Sequence, residues 1–147
     1  MIVLKHNKDL DGYLEKNRNS GKSIGFVPTM GALHNGHVWL ILNSKNSNNI
    51  TVCSIFVNPT QFNNAGDFEK YPVTLENDID VLEKNGCDIL FLPNVKEIYP
   101  DGTTRLPHYN LGYIETLLEG KFRPGHFQGV CQVVHRLLVM VKPHQLY

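Results

Sequence analysis

The order of predicted elements puts this chain in the α/β class, as a parallel sheet flanked by helices. Three observations carry that reading. Residues 50–57 read Ile-Thr-Val-Cys-Ser-Ile-Phe-Val, a strand rich in β-branched side chains. Residues 74–85 and 127–141 repeat apolar side chains at helical spacing. Short apolar runs alternate with these helices, which is the pattern of right-handed βαβ crossovers.

Taken in order, residues 9–18 form a short helix with Leu10 and Leu14 on one face. Residues 23–27 are a buried strand stopped by Pro28. Residues 36–44 have helical spacing, with Val38, Ile41 and Leu42 apolar, and the Asn/Ser-rich stretch 43–49 reads as a frayed end and loop. Asn58-Pro59 ends the strand at 50–57. In the helix at 74–85, Leu75, Ile79 and Leu82 share a face and Gly86 is the stop. Residues 88–92 are another buried strand, ended by Pro93, and 104–111 form an edge strand that tolerates Pro107. The helix at 127–141 has a wide apolar face and is closed by Pro143, after which a further strand begins. Ligands of such sheets bind at the carboxyl ends of strands near the topological switch point, where the segments after Val27 and Val57 lie.

The length of 147 residues fits one domain. Lys plus Arg and Asp plus Glu number 14 each, so bulk charge supports neither nucleic-acid nor membrane-surface binding. No apolar run approaches the ~18 residues of a bilayer span, and Met1–His6 is no signal peptide. Cys53, Cys87 and Cys131 are scattered without a CxxC pair, which suits reduced thiols in a cytoplasmic protein. The sequon Asn49-Ile-Thr51 is then a chance match.

The chemistry is concentrated in Val27-Pro-Thr-Met-Gly-Ala-Leu-His-Asn-Gly-His37, a turn between a strand and a helix. Gly31 and Gly36 allow close backbone approach, and the turn can offer free N–H groups and a positive helix end to a polyphosphate. His34 and His37 project to one side and can donate hydrogen bonds to phosphate oxygens that gain charge, as in HxGH nucleotidyl transfer. A metal site is the competing reading, but the pair lacks the Glu of a zinc protease and a third ligand. Gly21-Lys22-Ser23 resembles a P-loop end, yet it precedes the strand and lacks the first Gly, which excludes it. Gln61, in Ser54-Ile-Phe-Val-Asn-Pro-Thr-Gln-Phe62, can hold a hydroxyl and a carboxylate together. Arg123 and His126, in a Gly-rich loop before the last helix, can bind anions.

Together these stretches resemble the pantothenate synthetase (pantoate–β-alanine ligase) family. Tyr71-Pro-Val-Thr74, Phe91-Leu-Pro, Ile98-Tyr-Pro-Asp-Gly102, Leu118-Glu-Gly, Arg123-Pro-Gly-His-Phe127 and Gly129-Val130 add matches in family order. The resemblance implies a Rossmann-like domain over 1–147 that binds ATP and D-pantoate, followed in the family by a smaller C-terminal domain. It implies ATP- and Mg²⁺-dependent condensation of D-pantoate with β-alanine through pantoyl adenylate, in the cytoplasm, by a homodimer. Carried over by position, Met30, Gly31, Ala32, Leu33, His34, Asn35, Gly36 and His37 form the ATP turn, with His37 the proton donor. Gln61 holds pantoate and then β-alanine; Met30, Val130, Val133 and Val134 wall the pantoate pocket. Arg123 and His126 lie in a loop near the site, and Asp78 helps to place Mg²⁺.

The chain also departs from the family. Members continue past Lys-Pro into a Phe-Gly-x-Lys-Asp-x-Gln-Gln segment that contacts both substrates, whereas this sequence stops at Tyr147. The expectation is therefore a domain truncated at its C-terminal end, with impaired turnover by itself. His144 stands where Asp is usual, and Gln132 where Thr is common. A non-catalytic nucleotide- or pantoate-binding fragment and another HxGH nucleotidyltransferase are the alternatives.

Overall fold

The computed structural model describes residues 1–147 apart from 63–65, 67, 69, 73 and 118. Val73 and Leu118, each part of a matching stretch, lie outside the described residues. Among the described residues five parallel strands form one sheet in the order β1-β4-β3-β2-β5. They are β1 Ile2–Leu4, β2 Ile24–Thr29, β3 Ile50–Ile55, β4 Ile89–Phe91 and β5 Gln145–Leu146. The longer helices are α1 Asn7–Asn19, α2 Asn35–Ser47, α3 Leu75–Lys84 and α6 His126–Val141, with short α4 Val95–Ile98 and α5 Glu119–Phe122.

The period of two along each strand divides the core into two layers. Phe26, Val52, Ile89 and Phe91 face one side, against Leu10 and Leu14 of α1 and Val133, Leu137 and Val141 of α6. Val27, Cys53, Ile55 and Leu90 face the other, against Ile41 of α2 and Leu82 of α3. Helices on both faces explain why β3 is buried along its whole length and reads as a continuous apolar run. From β2 the chain proceeds to β3 on one side, and β5 lies on the other. The switch point therefore lies between the carboxyl ends of β2 and β5.

Several expectations change at their edges. Pro28 does not stop β2, which pairs with β3 through Thr29. The carbonyls of Ile24 and Phe26 accept from His144 N–H (2.8 Å) and Tyr147 N–H (2.9 Å), so even positions of β2 face β5. Pro28 is next in that set, beyond the pairing with β5, and its missing N–H costs the β2–β3 ladder nothing. The 43–49 stretch is not a loop: α2 runs to Ser47, because buried Ser44 bonds Thr51 (2.8 Å) and Asn43 Nδ2 donates back to the Trp39 carbonyl (2.7 Å). The edge strand expected at 104–111 is absent, and its backbone bonds side chains of α6 instead. Tyr109 N–H donates to Gln128 Oε1, and Gln132 Nε2 donates to the Pro107 carbonyl. β1 is too short and too exposed to show a periodic signature.

Other signals hold. α3 ends in a Schellman turn, with Gly86 at φ +73°, Cys87 N–H bonded to Leu82 O and Gly86 N–H to Glu83 O, both 3.0 Å. His144 Nδ1 accepts from Ile24 N–H (3.0 Å), an acceptor role that the Asp usual there could also fill.

Gly25 lets α2 lie directly on β2. A Cβ there would sit 2.2 Å from Ser44 Oγ and 2.7 Å from Asn48 Nδ2. Gly25→Ala is expected to destabilise the fold by about 1–3 kcal/mol in urea unfolding, the usual range for overpacking.

Candidate functional site

At the carboxyl end of β2 the chain turns sharply before α2. Thr29 Oγ1 donates to the Ser54 carbonyl (2.8 Å) and accepts from Gly31 N–H (3.2 Å), tying the turn to β3. Gly31 (φ +83°) and Ala32 (φ +51°) are both left-handed. For alanine that conformation costs about 1–2 kcal/mol, so the surroundings must hold it. Asp78 of α3 does so: its carboxylate accepts from Ala32 N–H (3.0 Å) and Leu33 N–H (2.8 Å). Leu33 itself turns into the second core layer.

His34 is the N-cap of α2, and the two histidines cap the helix reciprocally. His34 Nδ1 accepts from Gly36 N–H (3.1 Å), and His37 Nδ1 accepts from His34 N–H (3.3 Å). Both rings must then be neutral at Nδ1 and carry hydrogen at Nε2, the opposite edge. The rings lie 4.2 Å apart between centroids. Burial, and then the neighbouring His34, hold the His37 pKa below its ordinary value of 6.5, against a smaller opposing effect of Asp78. A Cβ at Gly36 would lie 2.9 Å from His34 Cε1, so a larger residue there would push the His34 ring off its capping position.

This geometry corrects the expectation of a turn with free amides. The N–H groups of Gly31, Ala32, Leu33, His34 and Gly36 are all bonded within the protein. What the turn offers an anion is the first turn of α2 and two Nε2–H edges.

His37 lines a cavity of about 260 Å³ together with Met30, Gln61, Tyr71 and an apolar wall of Val130, Val133, Val134 and Leu137. Its size suits a small branched molecule rather than a whole nucleotide. Met30, Gln61 and Tyr71 also line a second cavity of about 270 Å³ with Lys70, Arg123 and His126. Arg123 pairs with Glu119 (3.5 Å), and His126 Nδ1–H donates to the Gln61 carbonyl (3.1 Å). His34 is exposed at the turn, next to Asn35.

Asp78, expected near Mg²⁺, has both oxygens occupied by backbone amides. Among the described residues no group of three His, Cys, Asp or Glu side chains could hold a metal ion.

Gln61 is supported by residues outside the set expected from sequence. Fully buried Asn58 donates to the Gly129 carbonyl (3.0 Å) and accepts from Tyr99 O–H (3.0 Å) and Thr60 O–H (3.1 Å). Gly129 admits this loop onto α6, since a Cβ would lie 2.4 Å from the Thr60 carbonyl oxygen. An Asn before Pro-Thr, at the head of a short turn, was the available signal for Asn58. Tyr71, part of the matching stretch 71–74, lines both cavities, and burial, then the Asp78 charge, raise its pKa.

The family described as Pantoate-beta-alanine ligase matches residues 2–147. A pantothenate synthetase of Bacteroides fragilis is 49% identical over 147 residues, covering 100% of this chain and 51% of that protein. The crystal structure of a pantoate-beta-alanine ligase from Francisella tularensis, complexed with beta-gamma ATP and beta-alanine, superposes with a TM-score of 0.90 at 48% identity. It is covered over 56% of its length, and all of this chain is matched. A pantothenate synthetase from Thermus thermophilus gives 0.89 at 41% identity, covering all of this chain and 51% of that one. The chain thus spans about half the length of the curated relatives it matches.

The burial of His37 fixes a sign for pH. The folded His37 binds its proton more weakly than the unfolded chain does. Its contribution to stability is therefore present above about pH 6.5 and lost as pH falls through the lowered folded value. Histidine side-chain ¹⁵N spectra should report Nε2–H tautomers for both residues at pH 7.5, with His37 titrating below the reference value; an Nδ1–H form would contradict the geometry.

Proposed function

The chain belongs to the pantoate–β-alanine ligase family, and on that premise we propose that it forms the ATP- and pantoate-binding part of an enzyme that makes pantothenate from D-pantoate and β-alanine. The observation that carries this is one cavity lined at once by His37, Gln61 and a valine wall. The wall suits the gem-dimethyl group of pantoate, and the Gln61 amide can bond its hydroxyl and carboxylate. The nucleotide lies along the turn from Met30 to His37, its phosphates at the Nε2–H edges of His34 and His37.

In the first step a pantoate carboxylate oxygen attacks the α-phosphorus of ATP, and the bond to the β-phosphate oxygen breaks. Pyrophosphate leaves and pantoyl adenylate remains. Neutral imidazole donors strengthen their hydrogen bonds as charge builds on the phosphate oxygens, which lowers the barrier without a net charge that would hold the product. In the second step the β-alanine amine attacks the acyl carbon and AMP departs. Lys70 and Arg123, in the adjoining cavity, complement the β-alanine carboxylate, and His126 keeps Gln61 in place.

Mg²⁺ fits this site as a companion of the nucleotide. It commonly binds through substrate phosphates and water, and no all-protein cage exists among the described residues. Bound there it would neutralise the leaving pyrophosphate. A homodimer in the cytoplasm is the assembly this reading carries, as a proposal; no helix among the described residues is long and apolar enough to cross a membrane.

The full-length protein should release pyrophosphate from ATP only when D-pantoate is present, and should not accept cytidine triphosphate. His37→Ala should reduce adenylate formation by about 10²–10³-fold, the usual loss for a transition-state donor. Pantoate-independent release, or equal use of cytidine triphosphate, would instead indicate a nucleotidyltransferase with another substrate. Calorimetric binding of both ligands without pyrophosphate release would indicate a binding module.

A further inference from the structure

We infer that Asp78 is a positioning residue for adenylate formation, its buried carboxylate setting the turn that aims His34 and His37 at the phosphates. The inference rests on the function proposed above and adds a residue to it.

Asp78 is only 1% exposed and, among the described residues, has no ion-pair partner. A buried, unpaired carboxylate is unfavourable unless hydrogen bonds compensate it. Here three do: Ala32 N–H, Leu33 N–H and Thr74 O–H at 3.2 Å. The N-terminal turn of α3, where Asp78 sits, adds a favourable dipole. An apolar side chain would pack α3 against β3 without any of these requirements. The charge is explained by what it bonds, two successive amides in a left-handed turn.

Those amides precede His34 immediately. With Ala32 held at φ +51°, the chain enters His34 in the extended conformation (φ −136°, ψ 178°) that an N-cap needs. The reciprocal bonds of the two rings follow, and with them the direction of both Nε2–H edges. Gly31 completes the arrangement, since a Cβ there would come within 3.0 Å of Asp78 Oδ2. The carboxylate also takes Ala32 and Leu33 N–H away from the phosphates. It therefore acts through the histidines and not on the substrate.

Asp78→Asn keeps the volume but turns an NH₂ toward one of three donors. In the full-length protein, the two half-reactions separate a positioning role from a general loss of packing. Pyrophosphate release from ATP and D-pantoate should slow at least tenfold. Pantothenate formation from supplied pantoyl adenylate and β-alanine should stay within about twofold. Adding Ala32→Gly, which adopts the left-handed turn without strain, should restore part of the first half-reaction. Pyrophosphate release at the unmodified rate, or equal loss of both half-reactions without rescue, overturns the inference. If the variant does not fold, hydrogen exchange in the unmodified protein decides: protected Ala32 and Leu33 amides support the brace, and unprotected ones overturn it. An unmodified protein that releases no pyrophosphate overturns the functional reading instead.

Discussion

The turn before α2 depends on where its backbone N–H groups find their acceptors. In a sharp turn between a strand and a helix, the backbone amides lose their regular partners. Here Thr29, Asp78, His34 and His37 supply acceptors from within the fold. The imidazoles are consequently structural through one nitrogen and available for chemistry through the other. Burial, and then the neighbouring His34, lower the His37 pKa, which agrees with an Nδ1 that accepts rather than donates. Fold and reactivity are set by one pair of nitrogens.

The sheet places this turn opposite the second contributor. β2 and β3 are adjacent and in register from Ile24–Ile50 to Thr29–Ile55, so their carboxyl ends emerge side by side. The loop after β3 is then fastened to α6 through Asn58 and Gly129, which brings Gln61 to the valine wall. These valines serve two purposes. Val133 is almost fully buried in the core, while Val130 and Val134 are half-exposed to the cavity. One helical face thus grades from core into pocket without a change in residue type.

That grading explains what was legible in the sequence and what was not. Long periodic elements such as α3 and α6, and the apolar β3, were visible because burial imposes a period on many residues. Family order across the motifs pointed to His34, His37 and Gln61 and to the valines. The loop at 104–111 misled, because extended residues next to proline look alike whether they bond a strand or the side chains of a helix. Asn43–Ser47 misled for a related reason: asparagine and serine favour turns only when their side chains lack a better partner, and Thr51 is 2.8 Å from Ser44. Asn58 and the bracing bonds of Asp78 were not legible because they are non-local, to Gly129 and Tyr99 and to the turn at 32–33.

Pro28 shapes the cleft in which all this occurs. Its missing N–H is on the side of β2 that faces β5, two residues past Phe26, the last residue of β2 paired with β5. A strand lying there would present a carbonyl with no N–H to receive it, an unfavourable arrangement once water is excluded. A proline in a central strand is ordinarily a defect in a sheet; here its ring leaves the β2–β3 pairing whole and forms part of the wall of the cavity that holds His37 and Gln61.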